Sequence, residues 1–167
     1  NFTATQGAVA TMYWASHNST SSIRIYSWPE ASNTVSWDDR AVGPYPIAAP
    51  YSCAGPDGTN ACGRADARVL GAWVANGVIG FMWNAAQGNG FPYPYIHVAR
   101  FRESDRLLLD EPIIWNDSFA WLYPSVHPNS RGDIAGTLFY SGGGLHPSAA
   151  VFISDDLNTT TWEIYSV

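Results

Sequence analysis

The 167-residue chain is 46% hydrophobic and only 13% charged, with eight arginines, no lysine and a formal net charge of -6. It is long and apolar enough for one ordinary globular core, and it carries no basic stripe to hold a nucleic acid. No run approaches the roughly 18 apolar residues that a membrane-spanning helix needs.

Eight Trp, nine Tyr and seven Phe accompany fifteen Gly and eleven Pro, a mixture that favours short strands joined by tight turns. The chain starts at Asn1 with no recognisable signal peptide, as expected of a processed or partial sequence. Residues 1–7 read as a frayed end or half of a strand, 8–16 as a strand and 17–20 as a polar turn. Residues 22–28 alternate with period two, Ile23 and Ile25 on one side and Arg24, Tyr26 and Trp28 on the other. A short edge strand follows at 34–38, then a long Pro/Gly/Ala/Tyr-rich loop over 40–65. Loops of that length inside compact domains are functional or pinned. Cys53 and Cys62 flank a Pro-Asp-Gly turn within it and are expected to form a local disulfide, which points to an oxidising compartment.

The central stretch 66–101 is the best-defined unit. Strands are expected at 68–75, 78–84 and 95–102, with Asn76-Gly77 as a hairpin turn because both turn positions need positive φ. A fourth strand is expected at 107–115. The remainder repeats the scheme with strands at 121–127, 133–141, 149–154 and 161–165, and almost no helix is expected. The second strands of the three units align as T-M-Y-W-A-S, G-F-M-W-N-A and T-L-F-Y-S-G, and the third strands as I-R-I-Y-S-W, I-H-V-A-R-F and A-V-F-I-S-D. Repeated four-strand units mark radial β architectures. The expected fold is therefore all-β: one domain over 1–167 of about three antiparallel four-stranded blades. It is a partial or oligomer-completed β-propeller, with a β-sandwich as the alternative.

Several segments resemble secreted propeller-like proteins of the sialidase/BNR-repeat class: C-G-R-A-D-A-R-V-L-G-A-W, F-M-W-N-A-A-Q, P-Y-I-H-V-A-R-F, Y-P-S-V-H-P-N-S-R-G-D-I-A-G and S-D-D-L-N-T-T-T-W. The last is similar to an Asp box, which braces a hairpin, but Asn158 stands where glycine is expected and the spacing is one residue longer. For activity, the resemblance implies three arginines clamping a carboxylate, a tyrosine nucleophile assisted by Glu, and an Asp acid. Arg40, Arg64, Arg68, Arg100 and Arg131 are available, and Asp39, Asp66 and Asp133 lie beside them. Pairs such as Asp66–Arg68 and Arg131–Asp133 equally suit strand-end salt bridges. No glutamate sits in a recognisable site, so no catalytic residue is assigned.

The four histidines lack metal-ligand spacing, and Asp57-Gly58-Thr59-Asn60 reads as a turn rather than a calcium loop. Neither metal nor cofactor is expected. Aromatic loop residues Tyr45, Tyr51, Tyr93, Tyr95, Trp121 and Tyr123 are the candidate binding surface, since sugars and protein partners both dock on aromatic faces. The same residues also suit packing between blades. The sequons at Asn1, Asn18, Asn116 and Asn158 are candidate glycosylation sites. The function expected is a non-catalytic extracellular protein, structural, self-assembling or glycan-binding. Its partners would be its own copies or glycan, with no nucleic acid and no membrane span. A sialidase-like glycoside hydrolase, or a fragment of one, is the alternative.

Overall fold

The computed structural model describes residues 3–8, 10–48, 50–157 and 162–167, which form three antiparallel sheets. The first sheet orders β1 (Thr11–Ser19), β2 (Ser22–Pro29) and β3 (Ser36–Ala41). The middle sheet orders β4 (Val69–Ala75), β5 (Val78–Ala85), β6 (Tyr95–Arg102) and β7 (Leu108–Asp110), with β8 (Ile113–Ile114) also against β6. The last sheet orders β9 (Ala120–Pro128), β10 (Ile134–Gly142), β11 (Leu145–Ser154) and β12 (Glu163–Ser166). Among the described residues, Ala61–Arg64 is the single helical turn, of the 3-10 type.

Residues 3–6 supply the first sheet with an innermost strand. Ala4 bridges Trp14 in antiparallel fashion, while Gln6 bridges Trp73 of β4 in parallel. Gln6 N–H donates to Ala72 O and Val74 N–H to Gln6 O, both at 2.9 Å. The innermost strands of adjacent sheets thus run in one direction. The architecture is all-β, three antiparallel blades of a partial propeller.

The middle sheet shows why its strands lack polar alternation. Its neighbours cover both faces, so both side-chain sets must be apolar. Ile79, Phe81 and Trp83 of β5 and Phe101 of β6 pack toward Tyr13, Ile23 and Ile25 of the first sheet. Met82, Ile96 and Val98 point the other way, toward Leu138, Ala150 and Phe152 of the last. Gly80 lies opposite Trp73 in the β4–β5 ladder, and any Cβ there would meet the indole ring at 2.1 Å. The glycine makes room for the tryptophan that leads the second core. Asn76 and Gly77 both adopt positive φ, 51° and 73°, the backbone that an Asn-Gly hairpin requires.

Three expectations need correction. β1 does not stop before His17; it continues to Ser19, with His17 opposite Ile23, because the His17 side chain is taken into the interior. The fourth strand expected over 107–115 is two short pieces. Between them Pro112 has no N–H to offer β6, and its carbonyl instead accepts from Val98 N–H at 3.1 Å. β11 begins at Leu145 rather than 149, since the Gly142–Gly144 turn is tight and all three glycines have positive φ.

The repeat holds in phase for the second strands. Tyr13 and Met82 face the following sheet, and Phe139 occupies the same phase in the last sheet; Trp83 and Tyr140 face the preceding sheet. The third-strand alignment is one residue out of phase in the last sheet. Ile25 and Val98 face forward, whereas Phe152, aligned with them, faces back into the core shared with the middle sheet.

Candidate functional site

The connection between the first and middle sheets, residues 42–68, crosses the end of the molecule where the inner strands begin. Tyr45 N–H donates to Thr20 O of the first sheet at 3.0 Å, and Ala86 N–H of the middle sheet donates to Pro46 O at 2.9 Å. Tyr51 Oη donates to Asn84 O at 3.2 Å. Beyond that, Gly142 of the last sheet sits so close to Cys53 that an added Cβ would lie 2.9 Å from the Cys53 Cβ. One strap therefore touches all three sheets. The Cys53–Cys62 disulfide closes it as expected, with a Cα–Cα separation of 5.4 Å. Inside the bridged loop Asn60 Oδ1 accepts from Cys53 N–H at 2.9 Å and from Cys62 N–H at 3.1 Å, and Asn60 Nδ2 donates to Tyr51 O at 3.0 Å. Asp57 Oδ1 accepts from Thr59 N–H at 3.0 Å, and Gly58 has φ 78°. That is the geometry of a side-chain-braced turn. The described residues contain no cluster of three or more His, Cys, Asp or Glu that could hold a metal.

Under the strap, fully buried Asn84 at the end of β5 ties two elements together. Its Nδ2 donates to Asp66 O at 2.9 Å and its Oδ1 accepts from Tyr123 N–H at 2.8 Å. Tyr123 has φ 53° and is 37% exposed. The ladder between β9 and β10 skips there, between the Phe139–Leu122 and Thr137–Ser125 pairs. A bulky side chain in left-handed backbone is strained and persists only where its surroundings enforce it. Here the Asn84 amide and the bulge do so. Bulges of this kind re-aim side chains next to sites.

Burial raises the Tyr123 phenol, the Asp66 carboxylate adds to the rise, and the Arg64 and Arg68 guanidinium groups oppose it. These four side chains lie near enough to act on one another electrostatically, and Tyr123, Arg64 and Arg68 are each exposed. Arg68 Nε donates to Asp66 Oδ2 at 2.7 Å, its Nη2 makes a second contact to the same oxygen, and its backbone N–H donates to Asp66 Oδ1 at 2.9 Å. Those bonds to Arg68 hold the Asp66 carboxyl below its usual range.

Between the first and middle sheets lies a second polar group, in which His97 and Tyr45 are buried while His17 and Glu111 are half-buried. His17 Nε2–H donates to Ala67 O, and Tyr45 Oη–H donates to His17 Nδ1 at 2.6 Å. His97 stacks on Trp83 with centroids 4.6 Å apart and planes 12° off parallel. Its Nε2–H donates to Glu111 Oε1 at 2.9 Å, and both Glu111 oxygens accept from Gly43 N–H, at 2.7 and 2.8 Å. His97 Nδ1 and Trp83 Nε1 are buried with no partner among the described residues. Burial lowers both histidines, against the Ala67 carbonyl at His17 and against Glu111 at His97.

The structure gathers the six predicted aromatic residues at the strap end, but not as a shared surface. Tyr45, Tyr51, Tyr95 and Trp121 are buried, at 1%, 4%, 1% and 7% exposure, because the loops fold back to close the cores at the strand ends. Tyr93 is half-buried beside the disulfide, which leaves Tyr123 as the exposed ring. Asn18 is exposed beside the β1–β2 turn and Asn116 is half-buried, while Asn1 and Asn158 lie outside the described residues.

Arginines do not converge as a three-membered clamp. Arg64 and Arg68 lie at the strap end. Arg40 donates to Arg106 O at 2.9 Å, Arg100 to Asp110 at 2.6 Å, and Arg131 to Asp133 at 2.6 Å. Asp39 pairs with Arg24 at 2.7 Å rather than with Arg40. Sequence reasoning missed His17, Asn84 and Glu111. The one signal for Asn84 was a lone amide closing the apolar run V-I-G-F-M-W-N.

No family profile matches this sequence, and no curated protein does. The fold is similar to that of the Hadza microbial sialidase Hz136, with a TM-score of 0.62 and 14% identity over 98% of this chain. The match takes in 36% of that sialidase, so the chain spans about a third of its length. At that identity the likeness is one of fold: the chain has a sialidase-like all-β architecture.

Proposed function

We propose that this chain is a non-catalytic extracellular glycan-binding protein that recognises an acidic sugar at the strap end and associates with its own copies. The observation that carries the recognition is Tyr123: an exposed ring held in left-handed backbone, beside Arg64 and Arg68. An aromatic face with two guanidinium groups suits a sugar ring bearing a carboxylate. Arg64 is exposed and has no ion-pair partner among the described residues, and so is placed to receive that carboxylate.

Hydrolysis is disfavoured by the commitments of the acids. Asp66 is held ionised by Arg68, which makes it a poor proton donor near neutral pH. Glu111 is engaged by Gly43 and His97, and Glu103 accepts from Tyr13 Oη at 3.2 Å. An extracellular setting is supported by the disulfide. No described helix is long and apolar enough to cross a membrane. In that setting Asn18 is the more accessible of the two glycan acceptors among the described residues.

Calorimetric titration with sialyllactose and with lactose at low salt tests the recognition. Sialyllactose is expected to bind at least about tenfold tighter, a difference of about 1.4 kcal/mol; Arg64→Ala is expected to abolish that preference, and Tyr123→Ala to weaken the binding of both sugars. Equal affinity for the two sugars would overturn the proposal. Turnover of a fluorogenic sialoside that Tyr123→Phe abolishes would replace it with the hydrolase reading.

A further inference from the structure

Each sheet presents one face forward and one back, and at both internal junctions a forward face is buried against a backward one. Tyr13 of the first sheet and Met82 of the middle sheet, both forward, are 3% and 0% exposed. Phe139 holds the same phase in the last sheet yet is 48% exposed. Beside it on that face Val151 is 41% exposed and, directly across the β11–β12 ladder, Tyr165 is 57% exposed. The backward face of the first sheet carries Trp28 and Trp37, 44% and 58% exposed. Trp37 lies across from Tyr26 in the β2–β3 ladder, on the side opposite Ile25. Among the described residues, one forward and one backward face thus have no sheet packed against them, each with exposed large apolar side chains of the kind the internal junctions bury.

We propose that two copies of this chain close a six-bladed ring, the last sheet of each packing on the first sheet of the other. This rests on the self-association in the function proposed above, and the junction adjoins the glycan site, because Phe139 meets the Tyr123 ring edge-on with centroids 6.3 Å apart. The forward-to-back rule is the one the chain uses twice internally, so the new junctions continue an established packing. Closure fixes the number. Propellers run to roughly four to eight blades. Two copies of a three-sheet chain supply six, and three copies would supply nine. A head-to-tail contact that closes gives a discrete particle, whereas one that fails to close gives a fibre.

Sedimentation velocity across a concentration series is the test, on the wild-type chain and on Phe139→Asp and Trp37→Asp, each checked for native circular dichroism. The expected result is a single species of twice the 18.2 kDa chain mass, with each variant shifted to monomer. Both substituted residues are exposed within one chain, so folding should survive. Mixing the two variants should restore dimer in part, because the mixed pair keeps one junction with both native faces. A wild-type monomer at every concentration overturns the proposal, as does a mass that keeps growing with concentration. So does a dimer broken by Phe139→Asp but indifferent to Trp37→Asp, which would mean last sheet on last sheet. A monomer that still prefers sialyllactose would sink the ring and leave the glycan site standing.

Discussion

His17 and His97 place two imidazoles in one interior, from β1 and from β6, with Glu111 and Tyr45 as the other titratable groups bonded to them. Both are lowered from the ordinary histidine value of 6.5, chiefly by burial. Below about pH 6.5 the unfolded chain therefore binds more protons than the folded one. The stability that neutral burial confers is complete above that pH, and it is lost as pH falls toward the lowered folded values. Urea midpoints are expected to drop between pH 7.5 and 5.5. His97→Gln, which keeps a donor for Glu111 and cannot titrate, is expected to flatten that dependence. A midpoint unchanged over the range would contradict the assignment of neutral, buried rings. The part that His17 plays was not legible beforehand. A histidine after a strand of small and aromatic residues reads locally as a polar turn, and only the fold shows that Tyr45, distant in sequence, supplies its donor.

At the scale of the element, the strap is the least regular segment of the molecule and the one with the widest reach. Its disulfide spans nine positions, and closing a loop of that order contributes about 2–4 kcal/mol. The paired substitution Cys53→Ala/Cys62→Ala is expected to lower the unfolding free energy by that amount. It should also raise hydrogen exchange at Ala86 and around Gly142–Gly144, which the strap covers, more than in the β2–β3 ladder. Uniform exchange would mean that the bridge stabilises without anchoring. Composition did reveal a pinned loop and the cysteine pair. The crossing itself was hidden, because its contacts to Thr20, Ala86 and Gly142 are backbone meetings or close approaches that carry no residue signature.

For the whole molecule, three sheets share two cores and one strap, so none is free to melt alone. A single unfolding transition is expected, with tryptophan fluorescence and far-ultraviolet circular dichroism coinciding in denaturant. Two separated transitions would show that the strap does not couple the outer sheets. Blade number, strand order and the inward faces of 22–28 were legible, because period-two patterning and the Asn-Gly turn act locally. The slipped phase in the last sheet was not, since a one-residue shift exchanges the faces of a strand without altering its composition. The burial of Tyr45, Tyr51, Tyr95 and Trp121 was equally out of reach: an aromatic loop has the same sequence whether it coats a surface or plugs a core.

The Cys53–Gly142 approach also sets a calendar for biogenesis. The strap leaves the ribosome after the first sheet, yet the glycine it rests against belongs to the last. Its thiols can oxidise early, from proximity alone, but the bridge stays uncovered until the β10–β11 turn has been made. Throughout that interval the bridge and the interior beneath it lie open to solvent. Final sealing waits on the distal part of the polypeptide.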